Sequence, residues 1–372
     1  MHIRGYLFLL LVIPCTQCSF FPPQAIVHNT HQSIRDLLDP PGLSLDTLLR
    51  SRASPNARLV RAFHLSNTFV SPDPTIHANF LRKTGSLLRA AKDDWAGFNG
   101  VAQQAVELAL SDQPTSFDTF VRSATLYTTI VGLLDPHVDM TSPRVERSHI
   151  PEHHLEMLNE RLRRLIPDQD AYPNPLDFVI PTWETLWRVV AVTLAYVHTN
   201  AEARRAFLNL TDHPDPKQFR MTLDGTLPSV ENYMSESLRL HPPVRHITRH
   251  IFRHSLLTTF LPDIIASRIP PRIETHIADI ESAQRSALWE FDSSPPEAFD
   301  AARFMREPKA CELLTFGAGR LKCAAMNWAP MAAALIVGAI LNRVDGVVYD
   351  IERGERVGER TGWDGWTLRK VA

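Results

Sequence analysis

Apolar residues recur at helical spacing through most of the chain, and the pattern is broken mainly by prolines. After the turn Ser71-Pro72-Asp73-Pro74, residues Ile76, Phe80, Leu87 and Leu88 share the apolar side of a predicted helix. Val101 to Leu110 and Phe117 to Leu134 carry further helical patterns, and Glu152 to Leu165 is amphipathic and charged. Pro173, Pro175 and Pro181 lead into a long apolar helix predicted over Trp183 to Val197. A polar loop, Thr211 to Lys217, precedes a helix that should end at His241-Pro242-Pro243. Short extended pieces are expected over 244–286, then an Ala-rich helix over Ala324 to Leu341. Before all this, 24–60 is mixed, with Pro40, Pro41 and Pro55 dividing short apolar clusters. No repeat or low-complexity linker interrupts the sequence. It predicts one mainly α domain, 22–372, with a minor β-sheet.

Residues 1–21 read differently. A weakly basic start is followed by an apolar run from Tyr6 to Ile13, then Cys15 to Ser19, then Pro22 and Pro23. The run is short for a bilayer span, which needs about 20 residues. It fits a membrane anchor with a proline hinge behind it, or the core of a cleaved signal peptide.

Composition narrows the function classes. Gly is scarce at 15 and Pro plentiful at 28, as suits helices with stiff connections. The 39 basic and 41 acidic residues nearly cancel, and no basic stripe or aromatic–arginine pattern points to nucleic acid. Four cysteines, Cys15, Cys18, Cys311 and Cys323, are too few for a disulfide framework in 372 residues. Glu152-His153-His154 lacks a third ligand at helical spacing and reads as a solvated face.

Cys323 stands out by its setting, Phe316-Gly317-Ala318-Gly319-Arg320-Leu321-Lys322-Cys323 before the Ala-rich helix. Two glycines allow a tight turn and close approach to a flat ligand. A cysteine opening a helix, beside Arg320 and Lys322, would have its thiolate stabilised. The competing reading is a buried cysteine at the start of a core helix.

The loop resembles the haem-binding loop of the cytochrome P-450 family, with Phe316 seven residues before the cysteine. It departs from that pattern twice. The family's arginine two before the cysteine is Leu321 here, with Arg320 one earlier, and the glycine two after is Ala325. Glu236-Ser237-Leu238-Arg239, followed by Leu240-His241-Pro242-Pro243, resembles a second family signature. The resemblance implies that Glu236 and Arg239 are buried partners of Arg303 in a triad that holds the cysteine loop. It also implies haem b with Cys323 as axial ligand, and haem propionates met by Arg249, Arg320, His77 and Arg82. The stretch Pro181-Thr182-Trp183-Glu184-Thr185 is similar to the oxygen-activating part of the family's central helix, with Glu184 and Thr185 handling protons. The alternative there is that Glu184 pairs with Arg188 and Thr185 only packs.

By this resemblance the chain is expected to be a P-450-like helical haem domain with a shortened N-terminal sheet region. It would be a monooxygenase taking electrons from an NADPH-dependent reductase and oxidising an apolar small molecule. Similarity to fungal specialised-metabolism members suggests a terpenoid or polyketide substrate. The N-terminus would hold it at a membrane surface, in the endoplasmic reticulum unless the signal is cleaved. Two alternatives stand beside this: an isomerase or cyclase on the same scaffold without net oxygenation, and a catalytically degenerate haem-binding protein.

Overall fold

The fold comes from a computed structural model, which describes residues 25–134, 160, 162, 163, 166, 168–170, 172–253, 271–290, 294–306 and 312–371. The N-terminal segment 1–21, Glu152-His153-His154 and Cys311 lie outside these residues. In chain order the elements are β1 (Ile26–His28), α1 (His31–Leu38), α2 (Leu45–Ala53), α3 (Ala57–Phe63), α4 (Pro74–Asp93) and α5 (Trp95–Ala109). Then come β2 (Thr115–Ser116), α6 (Phe117–Thr129), a π-helical turn at Ile130–Leu134, α7 (Leu176–Val197), α8 (Ala201–Asp212), α9 (Pro216–Arg220) and α10 (Val230–Leu240). The chain closes with β3 (His246–Arg253), β4 (Arg272–Asp279), α11 (Ile280–Gln284), α12 (Arg303–Arg306), α13 (Ala329–Leu341), β5 (Tyr349–Glu352) and β6 (Thr367–Lys370).

Helices carry the core and two small sheets flank it. One sheet runs β1-β4-β3, with β1 parallel to β4 and β3 antiparallel to it, so that Arg249 lies opposite His276. The other runs β2-β6-β5 and is antiparallel. Two apolar helices form the centre. α13 buries every residue from Met331 to Leu341. Its Gly338 lets α8 come close, because a Cβ there would lie 2.5 Å from Thr211 Cγ2 and 3.0 Å from the Phe207 carbonyl. α7 is long and apolar enough to cross a bilayer, but it is mostly buried and packs as a core helix.

Three helix starts differ from the expectation: α5 begins at Trp95 rather than Val101, and the other two lie at prolines. α7 begins at Leu176, so Pro181 lies inside it. A proline has no N–H, which leaves the carbonyl four residues back without its helical partner. That carbonyl, Asp177 O, instead accepts from Asn67 Nδ2 at 2.9 Å, while Ser66 N and Oγ donate to the Asp177 carboxylate at 2.9 and 2.7 Å. The break is repaired by the segment before α4. The Ala-rich helix α13 starts at Ala329 rather than Ala324, with Pro330 in its first turn, the place where a missing N–H costs nothing.

Candidate haem site

The cysteine loop is closed by its own backbone. Cys323 N donates to Phe316 O at 2.9 Å and Gly317 N to Leu314 O at 2.8 Å. Gly317 and Gly319 have φ of +72° and +68°, which favours glycine at both turns. Cys323 is a free thiol and exposed, while the protein around it is dense enough that burial pushes its pKa up. Both follow if the sulfur opens on a recess instead of bulk water. The Ala325 N–H donates to the sulfur and works the other way.

The setting expected to stabilise a thiolate is therefore absent. The helix begins six residues after Cys323, too far for its dipole to act. Arg320 is also engaged elsewhere, its Nε 2.8 Å and Nη2 2.7 Å from Asp39 Oδ1 and its N–H donating to Oδ2 at 3.0 Å. This clamp holds the Asp39 carboxyl below the ordinary carboxylate range. A thiol held up by burial loses its proton most readily to a metal cation that takes the proton's place.

Behind the loop, Glu236, Arg239 and Arg303 come together with almost no solvent exposure. Arg239 grips Glu236 through Nε to Oε2 and Nη2 to Oε1, both at 2.7 Å, on adjacent turns of α10. Arg303 Nε stands 3.6 Å from Glu236 Oε1, which also accepts from Asp300 N at 2.8 Å. Arg239 Nη1 donates to Gln284 O and Pro296 O, so the buried charges are paired and the donors of Arg239 are engaged. Gln284 carries the connection onward. Its Nε2 donates to Leu238 O and Arg239 O at 3.1 and 3.0 Å, and its Oε1 accepts from Leu314 N at 2.8 Å. The triad thus reaches the cysteine loop through Gln284, a residue with no signal in the sequence.

Arg249, His77 and one unforeseen residue form a second cluster. Gly317 lies against Ile247 on β3, two positions from Arg249 on the same face of the sheet. Arg249 is 5% exposed, and its pKa is lowered to about 9 by burial and by the nearby charge of Arg52. Arg52, 6% exposed, is lowered to about 10 by burial. Neither makes an ion pair among the described residues, and the Nε of each has no hydrogen-bond partner. Arg52 Nη2 donates to the Thr68 carbonyl and hydroxyl, and the hydroxyl lies 2.8 Å from His77 Nδ1. Burial and Arg52 lower the His77 pKa.

Arg82 does not join this cluster. It is exposed and bonded to Asn79. Five residues beyond His77 it lies about 140° round the helix, on another face. The sequence reading missed Arg52, whose signal was a charge on the apolar face of α2 beside Leu48, Leu49 and Ala53.

The central helix separates Glu184 from Thr185. In a largely buried stretch, Phe178, Ile180, Pro181, Thr182 and Thr185 keep partial solvent access, and all but Ile180 fall at the i, i+3, i+4, i+7 spacing of one stripe. A helix bordering a recess shows this pattern. Phe178 stacks on Phe80, one turn from His77, at 5.5 Å, which links the stripe to the basic cluster. Glu184 is buried off the stripe, 2.6 Å from Arg360 Nη2 and 3.4 Å from Arg188 Nη2. It joins α7 to the C-terminal segment. Thr185 Oγ1 donates to Pro181 O at 3.2 Å.

A haem needs a thiol opening on a recess and donors for two carboxylates. Cys323 is the first; the orphaned N–H groups of Arg52 and Arg249 are donors without acceptors, so the residues present fit the group. Residues 212–350 match the family model "Cytochrome P450". Thromboxane-A synthase from Sus scrofa is 24% identical over 180 residues, 42% of this chain and 31% of that protein, so the match spans under a third of the relative. The fold resembles P450 OxyD, involved in the biosynthesis of vancomycin-type antibiotics, with TM-score 0.62 and 17% identity over 94% of this chain and 91% of that one. It also resembles the tirandamycin C-bound P450 monooxygenase TamI, with TM-score 0.57 and 17% identity over 93% and 89% of the two chains. Over residues 212–350 the chain is thus similar to the cytochrome P450 family, whose members bind haem through a cysteine thiolate, and it shares their fold.

Proposed function

We propose that this protein is a haem-thiolate monooxygenase acting on an apolar small molecule of specialised metabolism, with electrons from an NADPH-dependent reductase. The observation that carries it is a free, exposed Cys323 in a loop closed on Phe316 and braced by Glu236, Arg239 and Arg303. Haem, when bound, supplies a redox-active iron for dioxygen chemistry. Cys323 would be its axial ligand, and Arg249 and His77 would hold its carboxylates. Thr182 and Thr185 lie on the partly accessible stripe, where their hydroxyl oxygens can order water for proton delivery. The apolar wall of Phe178 and Phe80 suits an apolar substrate. OxyD and TamI support the specialised-metabolism reading. The N-terminal apolar segment supports attachment to a membrane surface.

A second reading, isomerisation or cyclisation without net oxygenation, draws on Glu184. Held by Arg360 and Arg188 off the partly accessible stripe, it is a poor proton relay. Dependence of turnover on NADPH and dioxygen separates the two. Replacing Cys323 by Ser should abolish the thiolate-type Soret band of the reduced carbon-monoxide complex, together with product formation. An unchanged band would overturn the assignment.

A further inference from the structure

Two arginines buried side by side with no acid are expensive, because each loses hydration and each repels the other. A buried cation is ordinarily paired, as Arg239 is with Glu236. Among the described residues Arg52 and Arg249 are exceptions, and Arg249 lies on the strand that meets the cysteine loop.

The hydrogen bonds around Thr68 show what the cluster offers. Arginine only donates, so the Thr68 hydroxyl oxygen accepts from Arg52 Nη2, and the same hydroxyl lies 2.8 Å from His77 Nδ1. Arg52 Nε and Arg249 Nε are donors without acceptors, with two positive charges behind them. A ligand with two carboxylates balances that charge and supplies the missing acceptors.

Meanwhile the loop's own basic residue, Arg320, is spent on Asp39, and Arg82 points to solvent. We propose that Arg52 on α2 grips a haem carboxylate together with Arg249, in place of the basic side chain that the cysteine loop yields to Asp39. This rests on the haem-thiolate function proposed for the chain. Arg52 belongs to α2, while Cys323 lies in the loop before α13. The anchor therefore ties the N-terminal part of the fold to the cofactor.

The test uses the full-length haem-free chain, titrated with haemin and with haemin dimethyl ester, which lacks the carboxylate charges. The wild type should hold haemin about tenfold or more tighter than the ester. Arg52→Leu should lose that preference by weakening haemin alone, and Arg52→Lys should restore part of it. Unfolding of the haem-free Arg52→Leu protein should be no easier than wild type, since an uncompensated buried cation has been removed. The proposal is overturned if Arg52→Leu weakens haemin and ester equally, or leaves both unchanged. A wild type that takes up no haemin at all sinks the haem reading itself, and this proposal with it.

Discussion

His241, which closes the Leu-His-Pro-Pro turn, has its pKa brought down to about 4 from 6.5, chiefly by burial. Its Nε2 lies 2.9 Å from the Tyr196 hydroxyl, and Tyr196 stacks on Phe299 at 4.1 Å. The folded state binds this proton less tightly than the unfolded chain does. Stability should therefore fall as pH drops from about 6.5 to about 4, by up to about 3 kcal/mol from this group. Urea midpoints at pH 7 and pH 4.5 would show it. A His241→Gln variant should lose part of the wild type's acid sensitivity, and equal pH slopes would refute the idea.

How much the sequence revealed also differed from one side chain to the next. Glu236, Arg239 and Arg303 were visible because the motif places two of them on adjacent turns. Arg52, Gln284 and Arg360 were not. Their partners lie far along the chain, and nothing local distinguishes a buried arginine from a solvated one except its place on an apolar helix face.

Among the secondary-structure elements, the central helix shows where periodicity is strong and where it misleads. Its apolar residues were readable, but Pro181 was read as punctuation before the helix. It is accepted inside because Asn67 Nδ2 reaches the Asp177 carbonyl from a segment 110 residues away. No local pattern can signal such a repair. Asn67→Ala should cost about 1–3 kcal/mol, the range for an orphaned buried polar group. With Pro181→Ala present, an amide again faces the Asp177 carbonyl and the same substitution should cost less. A double-mutant cycle by denaturant unfolding measures this, and strict additivity would show that Asn67 does not mend the break. The late start of α13 had a clearer sign, since proline favours the first turn of a helix and Pro330 marked it.

Across the fold, Arg360 fastens the C-terminal segment to the core. Its carbonyl accepts from Arg122 at 2.8 Å and its guanidinium pairs with Glu184, while Arg122 lies 4.1 Å over the Trp187 ring. Arg360 is 45% exposed, so Arg360→Ala should cost only about 1 kcal/mol or less in global stability. Its effect should be local: faster amide exchange in β5 and β6, with α13 unchanged. Uniformly faster exchange would mean that the segment is not held there. Helix content and the likeness to the cytochrome P450 family were legible before any geometry. The charge arrangement was not, because it arises only when distant segments pack.

That arrangement governs the newly made chain. Until the proposed haem arrives, the protein encloses two like charges that none of the described residues neutralises, so the empty form is the less stable of its two states. Since a ligand that binds only the folded protein stabilises it by mass action, proteases will remove the empty form faster. Steady-state abundance should then follow the cell's porphyrin and iron supply as well as its transcript level.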